Sequence, residues 1–283
     1  MAVIETKNLT YTYPGAAKPS IADVTIKVDK GEFVLITGPS GCGKTTLCRC
    51  FNGLIPHFYQ GEIKGEINVA GEDVLKRHTY EMAKHVGLVF QNPENQLFAL
   101  SVEKDVAFGL ENLGFPREEI RNRVDLAMYQ TGIYDLRERS PHEISGGQQQ
   151  RVAIAAVLAM EPEVIVLDEP TSFLDPLSAQ KIFDVIYDLN RNQGITVILV
   201  EHRLDLTAKY TNHLIVMQEG KVRYEGDPRE ILTAEETRLI GVGIPKATLL
   251  YQMLKKDGFD IGSKTPLSSE ELADELLEAL GAR

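Results

Sequence analysis

The chain lacks any apolar run long enough to cross a membrane. Its longest, residues 152–160, has nine residues, against the roughly 20 that a spanning helix needs. Residues 1–7 carry Glu5 and contain no apolar core, so they are not expected to act as a secretory signal. Any work at a membrane must therefore use another anchor. Cysteine is scarce: Cys42, Cys48 and Cys50 are odd in number and spaced neither as a redox pair nor as zinc ligands, which predicts a reduced, cytosolic interior. Basic charge is in deficit, with 30 Lys and Arg against 41 Asp and Glu and a net charge of −11. That balance argues against duplex nucleic acid as a partner, since replacing phosphate counterions needs a basic face. It leaves phosphate ligands open, because a few backbone N–H groups and one Lys can hold a nucleotide on an acidic protein. No internal repeat or low-complexity tract is present.

What remains is a globular composition. Hydrophobic residues make up 43% and charged residues 25% of 283 positions, which excludes wholesale disorder and fits one large domain or two small ones. Residues 3–13 and 21–28 alternate apolar and polar, separated by Pro14, Gly15 and Pro19; they read as two strands of a sheet solvated on one face. Residues 33–36, 164–167 and 197–200 are unbroken apolar runs, the mark of parallel strands buried on both faces of an α/β core, and 214–217 reads as a further strand. Residues 102–132 are helical in pattern, with Ser101 as the expected N-cap and a break at Gly114, Phe115 and Pro116. From about Thr233 the character shifts to short helices. The chain closes on Ser268 and Glu271, spaced as a capping box, ahead of Leu272, Leu276 and Leu280 on one helical face. That stripe is expected to pack on its own domain.

Gly38-Pro39-Ser40-Gly41-Cys42-Gly43-Lys44-Thr45 follows the strand at 33–37 and opens a helix reaching to about Leu54. This is a phosphate-binding loop in its required context, strand before and helix after. Glycines let successive N–H groups point at phosphate oxygens, and the helix N-terminus adds its positive dipole end. Lys44 is expected to reach the β- and γ-phosphates, and the Thr45 hydroxyl to ligate Mg²⁺; the run through Thr46 lines the nucleotide. Cys42, beside Lys44 and a helix N-terminus, is expected to favour thiolate. Residues 164–167 lead into Asp168 and Glu169, placing one carboxylate to hold Mg²⁺ and a second to act as general base on the attacking water.

Ser145-Gly146-Gly147-Gln148 follows Ile144, precedes a helical run at 149–160 and lies upstream of Asp168. With the phosphate loop it resembles the signature of ATP-binding cassette (ABC) ATPases, a resemblance covering residues 1 to about 232. The rest of the family pattern follows in order. Gln91 matches the Q-loop glutamine that contacts the γ-phosphate and Mg²⁺, residues 172–175 the D-loop, His202 the switch histidine, and Tyr13 the aromatic residue that stacks on adenine. Two departures stand out: Ile144 where Leu is usual, and Phe173 where the D-loop commonly has a small residue. The second puts communication between subunits in doubt. The resemblance implies a P-loop core with a parallel sheet, an N-terminal antiparallel β subdomain, a helical signature subdomain at about 92–160, and a small, mostly helical extension at 233–283 after a nucleotide-binding domain at 1–232.

A narrower resemblance lies in residues 90–98, which include Asn92, Pro93 and Glu94, and in residues 105–109. These look like the ATPase subunits of energy-coupling factor importers of vitamins, cobalt and nickel. The resemblance implies ATP and Mg²⁺ as ligands, with Gln91, Glu169 and His202 around the γ-phosphate. It implies a second ABC ATPase, the same chain or a paralogue, supplying residues 145–148 from across the nucleotide. It also implies a transmembrane coupling subunit, a membrane-embedded substrate-binding subunit, no nucleic acid, and a peripheral place on the cytoplasmic face of the membrane. The extension is associated in that group with ATPase–ATPase contact. The rival reading is a soluble cassette of repair or translation; the coiled-coil insertions or second cassette expected of those are not seen in this sequence. No residue reads out the cargo.

Overall fold

The computed structural model describes residues 1–281. Its strands in chain order are β1 (Ala2–Thr12), β2 (Ile21–Asp29), β3 (Phe33–Thr37), β4 (Glu62–Val69), β5 (Glu72–Asp73), β6 (Val86–Val89), β7 (Val164–Asp168), β8 (Thr196–Val200), β9 (His213–Gln218) and β10 (Lys221–Gly226). They form two sheets. One is antiparallel with order β2-β1-β4-β5; the other has order β10-β9-β3-β8-β7-β6. In the second sheet β9, β3, β8, β7 and β6 are mutually parallel, and only the edge strand β10 runs against its neighbour.

The unbroken apolar runs have a direct cause. β3 sends Phe33 and Leu35 into one core and Val34 and Ile36 into the other, and β7 divides Ile165 and Leu167 from Val164 and Val166 in the same way. Both faces of the sheet are covered, one by the antiparallel sheet with helix Lys44–Phe51, the other by helices Val102–Asn112, Arg117–Gln130, Gly146–Leu158 and Pro176–Gln193. Each fully buried aliphatic side chain there contributes on the order of 1.5–3 kcal/mol before entropy is counted. The expected α/β architecture, with an antiparallel β subdomain, a helical subdomain and a helical extension, is the one observed.

The helical block splits into Val102–Asn112 and Arg117–Gln130 at Gly114, which has φ 75°, a value open to glycine at little cost. Ser101 occupies the N-cap position, but its side chain makes no capping bond. The buried Asp105 instead ties down the segment ahead of the helix, its Oδ1 accepting from the N–H groups of Phe98 (3.0 Å) and Ala99 (3.1 Å). In the extension, helices Lys246–Lys256 and Ser269–Ala279 enclose a small core of Tyr251, Ile261 and Leu272, with Leu276 packed against it. Leu280 is 79% exposed, so the expected three-leucine stripe buries only two. The expected capping box closes only on one side. Ser268 Oγ accepts from Glu271 N–H (3.2 Å), but the Glu271 carboxylate accepts from Leu267 N–H and forms a two-point pair with Arg229. That pair joins the extension to the segment after β10.

His213, 12% exposed at the start of β9, lies between Glu32 (Nδ1 to Oε2, 2.9 Å) and Glu225 (Nε2 to Oε1, 3.1 Å). The hydrogen bond to Glu225 and the nearby Glu32 raise its pKa above the ordinary value of 6.5, against the opposing effect of burial. A raised folded-state pKa means stabilisation that is complete below the unfolded value and lost as pH rises through the folded value. His213→Gln should therefore destabilise the protein more at pH 5.5 than at pH 8.5. Urea unfolding of both proteins at the two pH values checks this; an equal destabilisation at both would show that charge on His213 contributes nothing.

Candidate functional site

Ligands in open parallel sheets bind beyond the carboxyl ends of the strands, and here four adjacent strands deliver polar residues to one such edge. β3 ends in the loop 38–45, β7 in Asp168 and Glu169, and β8 in Glu201 and His202, while Gln91 lies two residues past β6.

The loop owes its shape to two glycines with little room around them. Gly38 has φ 145° and a Cβ there would fall 2.0 Å from the Met217 carbonyl oxygen; Gly43 has φ 108° and a Cβ there would fall 2.5 Å from that of Ser20. Gly41 (φ 76°) faces open space, and Ser40 beside it is exposed. Lys44 is buried, its Nζ donating to the carbonyls of Gly38 (2.9 Å) and Pro39 (3.1 Å). The cleft that results is lined by Ser40, Gly41, Gly43, Lys44, Thr45 and Thr46, with Glu169 on its wall and Ser20 at its edge.

Cys42 departs from expectation. It is 4% exposed and lies within the core under the loop. Burial pushes its thiol above the ordinary range, outweighing the Lys44 charge that pulls the other way. The expected thiolate is therefore not favoured: the loop geometry turns Sγ inward, where desolvation decides. Cys48 and Cys50 are pushed up by the same cause.

Asp168 is 6% exposed, with its pKa raised by burial and held down in part by a hydrogen bond from the Thr45 hydroxyl. Its Oδ1 has no hydrogen-bond partner. An orphaned, buried carboxylate oxygen beside a hydroxyl suits a hard cation. No cluster of three or more His, Cys, Asp or Glu side chains among the described residues could hold a metal. Mg²⁺ needs none, since it takes one or two carboxylates and completes its shell with phosphate and water. Asp168 and Thr45 fit it.

Glu169 has φ 49°, a left-handed conformation that costs a non-glycine residue about 1–3 kcal/mol, and its N–H donates to Val200 O (3.0 Å). Its carboxylate is a meeting point. Oε2 accepts from Gln91 Nε2 (2.9 Å) and Ser172 Oγ (3.0 Å), and Oε1 faces His202 Nε2 (3.1 Å). Two of the residues expected in catalysis, Gln91 and His202, thus meet on a third, Glu169, beside the loop 38–45. The Gln91 and Glu169 positions are 78 residues apart in sequence.

Tyr13 packs edge-on against Tyr11 and Tyr59 (4.8 and 6.4 Å between ring centroids) and its hydroxyl accepts from Arg49 Nη1 (3.3 Å). It stands beside the phosphate-loop helix, with Thr46 Oγ1 3.4 Å from its hydroxyl. Ser145, Gly146, Gly147 and Gln148 are not brought to the cleft of their own chain. Ser145 caps helix Gly146–Leu158, Oγ accepting from Gln148 N–H (3.3 Å) while Ser145 N–H donates to Gln148 Oε1 (2.8 Å). Ser145 and Gly146 are exposed, so the N-terminal end of this helix faces outward.

Glu201, Thr171 and Arg203 were not among the residues expected at the site. Glu201 is 2% exposed and its carboxylate accepts from the N–H groups of His202 (2.6 Å) and Arg203 (3.2 Å) and from the Thr171 hydroxyl. A carboxylate at the tip of an apolar strand was the available signal; it drew attention at 168–169 and not at 201.

The chain is similar to proteins of one known family. A family model described as ABC transporter matches residues 21–172. A putative ABC transporter ATP-binding protein of Methanosarcina mazei is 44% identical over 267 residues, 94% of this chain; the chain spans only 45% of that relative's length. The energy-coupling factor transporter ATP-binding protein EcfA of Methanocaldococcus jannaschii is 44% identical over 272 residues, covering 93% of this chain and 95% of its own. Among solved structures, cbiO1 of Clostridium perfringens, described as part of the ABC transporter complex cbiONQ, superposes with a TM-score of 0.75 at 35% identity, covering 89% of this chain and 98% of its own.

Proposed function

The chain belongs to the ABC transporter family, and we propose that it is the ATP-hydrolysing subunit of a membrane importer of the energy-coupling factor type, taking up a vitamin or a transition-metal ion. The carrying observation is the Gln91–Glu169 hydrogen bond. It links the carboxylate proposed as general base to the segment that leads straight into the helical block.

Each residue then has a task. Lys44 and the loop 38–46, through its backbone N–H groups other than at Pro39, which has none, hold the phosphates of ATP, with Tyr13 against the adenine. Thr45, Asp168 and Gln91 would hold Mg²⁺, which would supply charge neutralisation at the phosphates. Glu169 accepts the proton of the attacking water, and His202 holds Glu169 and the γ-phosphate in register. The outward-facing residues 145–148 support a second cassette, identical or paralogous, as the partner that closes the nucleotide site, because a helix N-terminus favours phosphate and this one lies outside its own chain's cleft. The exposed Leu249, Leu250 and Met253 of helix Lys246–Lys256 support a contact between the extensions of the two cassettes.

No helix among the described residues is long and apolar enough to cross a membrane, so attachment would be peripheral, through a transmembrane coupling subunit that works with a membrane-embedded substrate-binding subunit. Phe98 (64% exposed), Leu100 (82%) and Phe108 (42%) form an apolar patch just beyond Gln91, the two Phe rings meeting edge to face at 4.6 Å. Exposed patches of this kind mark contact sites. Replacing Phe98 and Leu100 together by Glu should weaken membrane attachment by about 10²–10⁴-fold, taking roughly 1.5–3 kcal/mol for each buried side chain. Nucleotide affinity should not change. Flotation of membranes co-expressing the transmembrane subunits checks this; wild-type protein that stays unattached would overturn the transport reading.

A further inference from the structure

The chemistry proposed for the cleft leaves one buried charge beside it without a task. Glu201 stands at the end of β8 next to His202 with its side chain 3% exposed, and its carboxylate reaches neither the phosphate loop nor Glu169. Burying a carboxylate is costly unless it is fully bonded, and this one is. Its Oε2 takes the N–H groups of His202 and Arg203, and its Oε1 takes the hydroxyl of Thr171, which is itself completely buried. The Arg203 guanidinium completes the cluster. Its Nε is 3.7 Å from Glu201 Oε1, while Nη1 and Nη2 donate to the carbonyls of Leu174 (3.2 Å) and Thr171 (2.7 Å).

Two separate pieces of chain are joined here. One is the turn carrying His202; the other is the loop 171–175 that follows Glu169 and leads, through the Asp175 cap, into helix Pro176–Gln193. The same loop also reaches Glu169 from the other side, through Ser172 Oγ. We infer that Glu201 and Arg203 are a positioning pair for ATP hydrolysis, fixing the backbone of His202 to the loop 171–175 so that the histidine and the loop move as one body. A shift of that loop, whose Phe173 is 73% exposed and free to meet a partner cassette, is thereby transmitted to His202 and its contact with Glu169. The inference rests on the hydrolytic reading of Glu169 and His202.

The physical reason for a charge is the number of donors. Three hydrogen bonds and a guanidinium converge on one group, and a carboxylate is the side chain that accepts from all of them without donating. Glu201→Ala leaves these donors facing a cavity, and the His202 N–H loses the bond that ties it to the loop 171–175, while its side-chain contact with Glu169 and the Leu204 N–H bond to its carbonyl remain. Misplacement of a reacting group on the ångström scale costs on the order of 10²-fold in rate.

The test uses the full chain in its assembled cassette pair. Glu201→Ala should lower kcat for ATP by roughly 10–10²-fold with KM for ATP unchanged, because no contact of Glu201 touches the phosphate loop. Thr171→Val, a smaller change that removes one donor, should lower kcat in the same direction and keeps the test open if the Ala variant does not fold. Glu201→Gln, which can still accept the two N–H bonds and donate to Thr171, should recover most of the rate. The decisive arm is a double-mutant cycle. If Glu201 acts through His202, Glu201→Ala should add little to the loss already caused by His202→Ala. Full additivity in that cycle, a rise in KM that accounts for the whole loss, or normal kcat in both the Ala and Val variants would overturn the inference while leaving His202 in its role. Normal kcat in His202→Ala would instead overturn the hydrolytic reading of His202, and the positioning role with it.

Discussion

Glu169→Gln is expected to lower ATP turnover by about 10²–10⁴-fold, the usual worth of a general base, without loss of nucleotide affinity. The geometry makes this substitution clean. A Gln oxygen turned toward Gln91 Nε2 and Ser172 Oγ keeps both bonds now made by Oε2, and its amide group then donates to His202 Nε2. The shape of the cleft survives and only the proton acceptor is lost. Asp168, Thr45 and Lys44 are untouched, and one negative charge near the phosphates is gone. With ATP and Mg²⁺ the variant should therefore accumulate as a nucleotide-bridged pair of cassettes that the wild type only visits. Phosphate release and light scattering, each with and without ATP, read the two effects separately. Turnover near the wild-type rate would remove Glu169 from the role of base. Collapsed turnover without a pair would point to a different chain as partner cassette, and adding that chain should restore the trapped complex.

Lys44→Met should do the reverse, abolishing the nucleotide-dependent pair by removing affinity. Hydrogen bonds to charged groups are worth about 1.5–3 kcal/mol, so ATP affinity should drop roughly 10–100-fold. Met keeps the apolar stem that fills the space under the loop, while the Nζ contacts to Gly38 and Pro39 are lost. Equilibrium binding of a fluorescent ATP analogue measures the drop, and thermal unfolding without nucleotide shows whether the loop still folds. In a Lys44→Met/Glu169→Gln protein the trapped pair should be absent at ATP concentrations that saturate Glu169→Gln alone. A pair that persists there would mean that residues other than Lys44 dominate phosphate binding.

Glu169 and Lys44 were both legible in the sequence, because each is announced by its immediate neighbours: a glycine-rich run between strand and helix, and a carboxylate pair at the tip of an apolar strand. The same locality made β3, β7, β8 and β9 readable and split the helical block at Gly114. Residues 145–148 were readable for the same reason, since a serine ahead of two glycines and a glutamine caps its own helix within four positions. Expectations that failed were also local ones. Cys42 looked activated by its sequence neighbours, and the fold buried its sulfur; Glu271 looked like half of a capping box, and Arg229, 42 residues away, took its carboxylate.

By itself the sequence determined the strand–loop–helix proposed to bind phosphate, the acidic strand tip beside it, the α/β class and the deficit of positive charge that argues against nucleic acid as a partner. Those are consequences of short-range spacing and composition. Only the tertiary structure decided that Gln91, Ser172 and His202 meet on Glu169, that Asp168 carries an unpartnered oxygen, that His213 sits between two carboxylates, and that Glu201 binds the His202 turn to the loop 171–175. The His213 contact forms where β9 starts and the antiparallel β10 ends; the others depend on parallel strands from distant parts of the chain ending side by side. The order β9-β3-β8-β7-β6, which brings those ends to one edge, is chosen by how two cores are filled across the sheet.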